Sequence, residues 1–205
     1  MSEGRIIQVS GSSGSGKTAW TLQYIKKMPR LLAWDPEGEF ASQPDIQGIG
    51  YKELAALAAT GKPGRFAFVP PKGSPDFAFW ARCAWLYAQT PGEKTIIADE
   101  TSDVSHSGKA VGAWGMLIRR GRKYGATLVG ITQRPQETDK TLFGNASLIH
   151  LCAQWEANDR KYIAERCGVP LGDIESLISD KETGVFEYIE VDRFKKTITR
   201  DRLKF

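Results

Sequence analysis

No stretch constrains this chain more than Gly11-Ser12-Ser13-Gly14-Ser15-Gly16-Lys17-Thr18. It fits G-x-x-x-x-G-K-[ST], a loop whose glycines let backbone N–H groups turn inward around a nucleotide phosphate. The flanks agree. Arg5 to Ser10 predicts a short buried strand, and Thr18 to Met28 a helix with Leu22, Ile25 and Met28 on one side. The helix N-terminus adds partial positive charge. Lys17 is placed to reach the β- and γ-phosphates, and Thr18 to put its hydroxyl on Mg²⁺. Such a loop specifies a nucleotide but no purpose, because small-molecule kinases, transporter ATPases and DNA motors all carry one.

The 205 residues suit one domain with a substantial core. A formal charge of +4 permits nucleic-acid binding without requiring it. No apolar run reaches the ~18 residues of a membrane span. The most apolar stretch, Phe77 to Ala88, is shorter, contains Arg82 and predicts a buried helix. Met1 to Arg5 leads straight into the first expected strand, so no signal peptide is expected. Cys83, Cys152 and Cys167 form no C-x-x-C pair, so buried reduced thiols are expected. His106 and His150 are too far apart to suggest a metal site.

Further along, Arg30 to Trp34 predicts a second strand running into Asp35-Pro36-Glu37-Gly38-Glu39-Phe40. These acids are either a solvated turn or ligand groups at a strand's carboxyl end. Residues 41–50 are irregular. Tyr51 to Thr60 predicts a helix and Arg65 to Val69 a strand. Pro70 to Pro75 predicts a loop, with Asp76 capping the aromatic helix. Thr95-Ile96-Ile97-Ala98-Asp99-Glu100 is an apolar strand closing on two carboxylates. An acid here holds Mg²⁺, which assigns Asp99 to the metal. The adjacent Glu100 suits the base that deprotonates an attacking water. Hydrolytic motors need this second acid, whereas metabolite kinases generally do not. Lys109 to Lys123 predicts a helix ending in Arg119, Arg120, Arg122 and Lys123. That basic end either complements the helix dipole or lends an arginine to a neighbouring subunit's nucleotide. The strand Ala126 to Ile131 ends in Thr132-Gln133-Arg134-Pro135, where Gln133 is either a loop amide or a reporter of the γ-phosphate. Then come a strand over 147–153, a helix from Asn158 to Cys167, a short helix capped by Asp173, and a strand over 184–189. The tail from Arg193 is basic: an edge strand guarded against aggregation, or a contact for DNA phosphates.

Taken together, the P-loop, Asp35 to Phe40, the Asp99-Glu100 strand, and Gly121-Arg122-Lys123-Tyr124-Gly125 leading to Thr132-Gln133-Arg134-Pro135 resemble the FtsK–HerA superfamily of P-loop ATPases over residues 5–170. The resemblance implies an α/β, RecA-like P-loop NTPase: a mainly parallel central sheet, the P-loop strand inside it, helices on both faces. It implies a single domain over 1–205, its core at about 5–170 and a basic strand extension at about 184–205. It implies ATP and Mg²⁺ as cofactors. Gly11 to Thr18 bind the nucleotide, Thr18 and Asp99 the metal, Glu100 is the base and Gln133 the γ-phosphate sensor. Arg122 is the first choice for a trans-acting finger, ahead of Arg119 and Arg120. Asp35 and Glu39 match a second acidic motif near the nucleotide.

Members are usually hexameric rings that move double-stranded DNA. No membrane anchor, winged-helix DNA reader or extra barrel of the archaeal repair-translocase kind is expected from these residues. A bare motor of this size is similar to the genome-packaging ATPases of membrane-containing icosahedral viruses. Expected partners are double-stranded DNA, further copies in a ring (hexamer first, pentamer second) and capsid vertex proteins. The expected location is the host cytoplasm and the virion's packaging vertex. The alternatives are an assembly or DNA-transfer ATPase without a packaging role and, further off, a small-molecule kinase.

Overall fold

A computed structural model describes residues 4–71 and 76–204. Part of the loop expected before Asp76 (residues 72–75), Met1 to Glu3, and Phe205 of the basic tail lie outside the described residues. The strands are β1 (Ile6–Ser10), β2 (Leu31–Trp34), β3 (Gln47–Ile49), β4 (Arg65–Phe68), β5 (Lys94–Ala98), β6 (Ala126–Thr132), β7 (Leu148–Cys152), β8 (Ser179–Asp180), β9 (Val185–Asp192) and β10 (Thr197–Arg202). The helices are α1 (Lys17–Ile25), α2 (Tyr51–Thr60), α3 (Phe77–Gln89), α4 (Thr101–Val104), α5 (Gly112–Arg120), α6 (Lys140–Asn145), α7 (Ala157–Cys167) and α8 (Leu171–Glu175).

The sheet runs β10-β9-β7-β1-β6-β5-β2-β4-β3, with β8 added to β9. Neighbours from β7 to β3 are parallel; β9 and β10 are antiparallel additions. The parallel strands read as nearly unbroken apolar runs because both faces are covered. Successive residues serve opposite faces. Leu32, Ile96 and Leu128 pack with α2, α3, α5 and α7, while Leu31, Ile97 and Val129 pack with α1. The expected mainly parallel sheet with helices on both faces is what forms. The aromatic helix α3 buries Trp80 and Tyr87 completely. Trp34, Trp80 and Trp114 gather around Phe77, with ring centroids 5.3 to 5.4 Å from it.

Several local expectations change. Asp76 occupies the N-cap position of α3, but its carboxylate accepts the Tyr51 hydroxyl and caps nothing. Asp173 lies inside the first turn of α8, which follows Pro170. The helix expected from Lys109 begins at Gly112, whose φ of 58° leads into α5, and it tightens into a 3₁₀ turn over Gly121–Tyr124. Residues 47–49, expected to be irregular, form edge strand β3. Cys167 is half-buried rather than buried; all three cysteines are free.

Candidate nucleotide site

Strand order assembles the site. The loop Gly11 to Gly16 leaves β1, Gln133 follows β6 beside it, and Asp99 and Glu100 follow β5, one strand further on. In-register pairing of Ser10 with Thr132 and Ala98 with Gly130 brings all three to one level at the carboxyl ends. The loop is tied down at both sides. Gly11 N–H donates to the Thr132 carbonyl at 3.3 Å and Ser12 N–H to the Ala153 carbonyl at 2.9 Å. The Ser12 hydroxyl accepts Trp155 N–H at 2.8 Å. Gly14 (φ 72°) and Gly16 (φ 96°) hold left-handed conformations that side-chained residues rarely adopt.

Lys17 is 6% exposed, its ammonium donating to the Ser12 carbonyl at 3.0 Å. Burial lowers its pKa, while the negative charge of Glu100 and other neighbours favours the charged form. Thr18 lines a cavity of about 240 Å³ with Gly14, Gly16, Lys17, Ala19, Glu39 and Phe186.

Asp99 is pushed up to about 7 by burial and then by the charge of Glu100. Its carboxylate accepts the Glu100 N–H at 3.0 Å. Glu100 holds a left-handed backbone (φ 44°) that re-aims its side chain off the strand and starts α4. Burial raises its pKa, opposed by the amide of Gln133, which donates to Glu100 Oε1 at 2.5 Å. A basic, well-positioned carboxylate held by an amide is equipped to take a proton from water. The donor types fit Mg²⁺: this ion favours one or two carboxylates plus phosphate oxygens and water, and Asp99 with the Thr18 hydroxyl would supply the protein's share.

Of the second acidic motif, Glu39 reaches the rim of the cavity. Asp35 is fully buried and organises the turn, accepting Ala41 N–H at 2.7 Å; burial raises its pKa. The arginines are not brought to this site. Arg119, Arg120 and Arg122 precede β6, whose carboxyl end carries Gln133. A seven-residue strand at ~3.3 Å per residue puts them roughly 20 Å or more from their own P-loop. Arg119 also donates to the Ala110 carbonyl at 3.0 Å.

Some groups at the site carry no local sequence signal. Gln154 donates to the Gln133 carbonyl at 3.0 Å, and buried Asp159 accepts Gln136 N–H at 3.1 Å, so both steady the loop after β6. The β8–β10 segment folds back so that Ser179, Lys181, Phe186 and Leu203 touch the P-loop glycines.

No model of a known protein family matches the sequence. The chain is 29% identical over 170 residues to Protein P9 of Pseudoalteromonas phage PM2, covering 82% of this chain and 78% of that protein. Its fold is similar to that of the genome packaging NTPase B204 from Sulfolobus turreted icosahedral virus 2, solved in complex with AMPPCP. The TM-score is 0.74, with 17% identity and 98% of each chain covered. It is similar also to the cytoplasmic domain of the Thermomonospora curvata Type VII secretion ATPase EccC, with a TM-score of 0.59 and 13% identity. That match covers 97% of this chain and 25% of the other. At these identities the structural likeness is one of fold, that of P-loop NTPases. No helix among the described residues is long and apolar enough to cross a membrane.

Proposed function

We propose that this chain hydrolyses ATP to move double-stranded DNA, packaging a viral genome into a preformed capsid. The observation that carries the hydrolytic part is the Glu100–Gln133 pair, held at 2.5 Å at the same sheet end as the P-loop. The similarity to a genome packaging NTPase supports the rest. Lys17 and the loop amides bind the triphosphate. Thr18 and Asp99 hold Mg²⁺, which when bound neutralises charge on the phosphate oxygens. Gln133 orients water between Glu100 and the γ-phosphate. The water oxygen attacks phosphorus, its proton passes to Glu100, and the bond to the β-phosphate oxygen breaks, leaving ADP and phosphate.

Arg122 lies too far from its own P-loop to act there, so its finger role is exercised on a neighbouring copy. A hexameric ring, the arrangement usual in the resembled superfamily, would bring successive subunits into contact. Arg120 is the second candidate; Arg119 is engaged by its own loop. Capsid vertex proteins anchor the ring at the virion's packaging vertex. The polar segment over 101–109, which begins as helix α4, and the basic strand β10, exposed along its length, are the surfaces offered to DNA.

The test is ATP hydrolysis with and without long double-stranded DNA, on wild type and Glu100→Gln. Stimulation of ~10-fold or more, lost in the variant, is the expected result. Hydrolysis indifferent to DNA would replace the motor with an assembly ATPase, and retained hydrolysis in Glu100→Gln would remove the base assignment.

A further inference from the structure

A cation from outside the P-loop motif lies against the P-loop. The chain leaves β8 through a turn fixed by Asp180, whose carboxylate accepts the Thr183 hydroxyl at 2.7 Å and the Glu182 N–H at 2.8 Å. That turn carries Lys181 over the P-loop. A Cβ built on Gly14 would lie 2.9 Å from the Lys181 Nζ and 2.7 Å from its Cε. The Ser179 hydroxyl donates to the Gly14 carbonyl at 3.3 Å, pinning the same strand to the loop. Next to it, Phe186 and Leu203 pack against Gly16. No carboxylate among the described residues forms an ion pair with Lys181. The charge around Lys17, by contrast, is acidic: Glu100, Asp99 and Glu39. Lys17, the loop N–H groups and the helix N-terminus meet part of a triphosphate's charge, and a second cation beside Gly14 would add to them.

We propose that Lys181, delivered by the β8–β9 turn, is a second phosphate-binding cation of this site, contacting the polyphosphate of the nucleotide in cis. Its mobile stem and exposed ammonium suit a point contact made on a phosphate oxygen. The C-terminal segment thereby becomes part of the nucleotide site, so β8–β10 is held more firmly while nucleotide is bound.

The proposal rests on the nucleotide reading of the P-loop, and the experiment separates the two. Calorimetric titration of ATP, ADP and AMP with Mg²⁺ is compared across wild type, Lys17→Ala, Lys181→Ala and Lys181→Arg. Lys181→Ala is expected to weaken ATP and ADP by roughly 10-fold or more, to leave AMP within about 2-fold, and to be largely rescued by Lys181→Arg. The side chain is exposed, so the ligand-free melting temperature should stay at the wild-type value. ATP bound equally well by Lys181→Ala and wild type, with Lys17→Ala impaired, overturns the proposal alone. Loss of AMP binding in parallel with ATP also overturns it, as a structural effect. No ATP binding by wild type overturns both it and the nucleotide reading.

Discussion

At the amino end of the parallel sheet, cations answer the carbonyls that helices leave unsatisfied. At its carboxyl end, carboxylates crowd one another. Arg65 donates to the carbonyls of Ile25 and Met28 at 2.7 and 2.6 Å, closing α1. Lys94 donates to the Ala88 carbonyl at 3.1 Å and to that of Thr90, closing α3. Arg193 reaches the carbonyls of Phe143 and Ala146 at 2.9 and 3.1 Å, closing α6. These bonds fill the orphan positions every helix C-terminus carries. At the other end the pKa values of Asp35, Asp99 and Glu100 all rise through burial. Buried Ser10 Oγ, Ser15 Oγ and Asp35 Oδ1 find no hydrogen-bond partner among the described residues. Cations at the amino end are bound into helix termini, whereas carboxylates at the carboxyl end are held buried with raised pKa, as expected where function is placed against stability.

Substitutions at the two ends should therefore fail differently. Lys17→Ala should have the largest effect, lowering ATP affinity or hydrolysis by ~100-fold or more in a binding and turnover assay. A variant that still turns over at the wild-type rate would break the comparison at its functional end. Arg65→Ala strands two helix carbonyls and should cost about 2–3 kcal/mol. The melting temperature should drop by roughly 5–10 °C, with turnover per folded molecule unchanged. Loss of turnover without loss of stability would reverse its assignment.

The pH response sharpens the contrast. Asp99 rises from an ordinary 3.8 to about 7 on folding. Between those values the native state keeps a proton that the unfolded chain has released. Stability should fall as pH rises from ~4 to ~7 and level off above. Asp99→Asn should flatten its share of that slope in melting curves taken across this range. The smallest effect is expected at Gln133→Ala: turnover down ~10-fold with ATP affinity retained, read from steady-state rates and titration.

The legible part of the site is its local part. Gly11 to Thr18 joins a strand to a helix, and Asp99-Glu100 closes an apolar run, so spacing alone located both segments at the ends of their strands. The arginines before β6 were visible as charges, but their separation from the P-loop is a property of strand direction. The left-handed backbone of Glu100 is invisible because no glycine marks it. Asp76 and Asp173 carried cap signals that tertiary structure overrode: Asp76 accepts the Tyr51 hydroxyl, and Asp173 falls inside a helix that starts after Pro170. The return of β8–β10 to the P-loop joins residues more than 160 positions apart, as in the Ser179–Gly14 bond, and no local pattern encodes that.

The most direct test measures stability and turnover together on Glu100→Gln at pH 7.5. Neutralising an acid that is destabilised by burial and by nearby Asp103 and Glu39 should raise the ligand-free melting temperature by a few degrees. The same change should lower ATP hydrolysis by ~100-fold or more. A variant that melts lower than wild type and still hydrolyses ATP would contradict the claim that the carboxyl end is arranged for catalysis at the expense of stability.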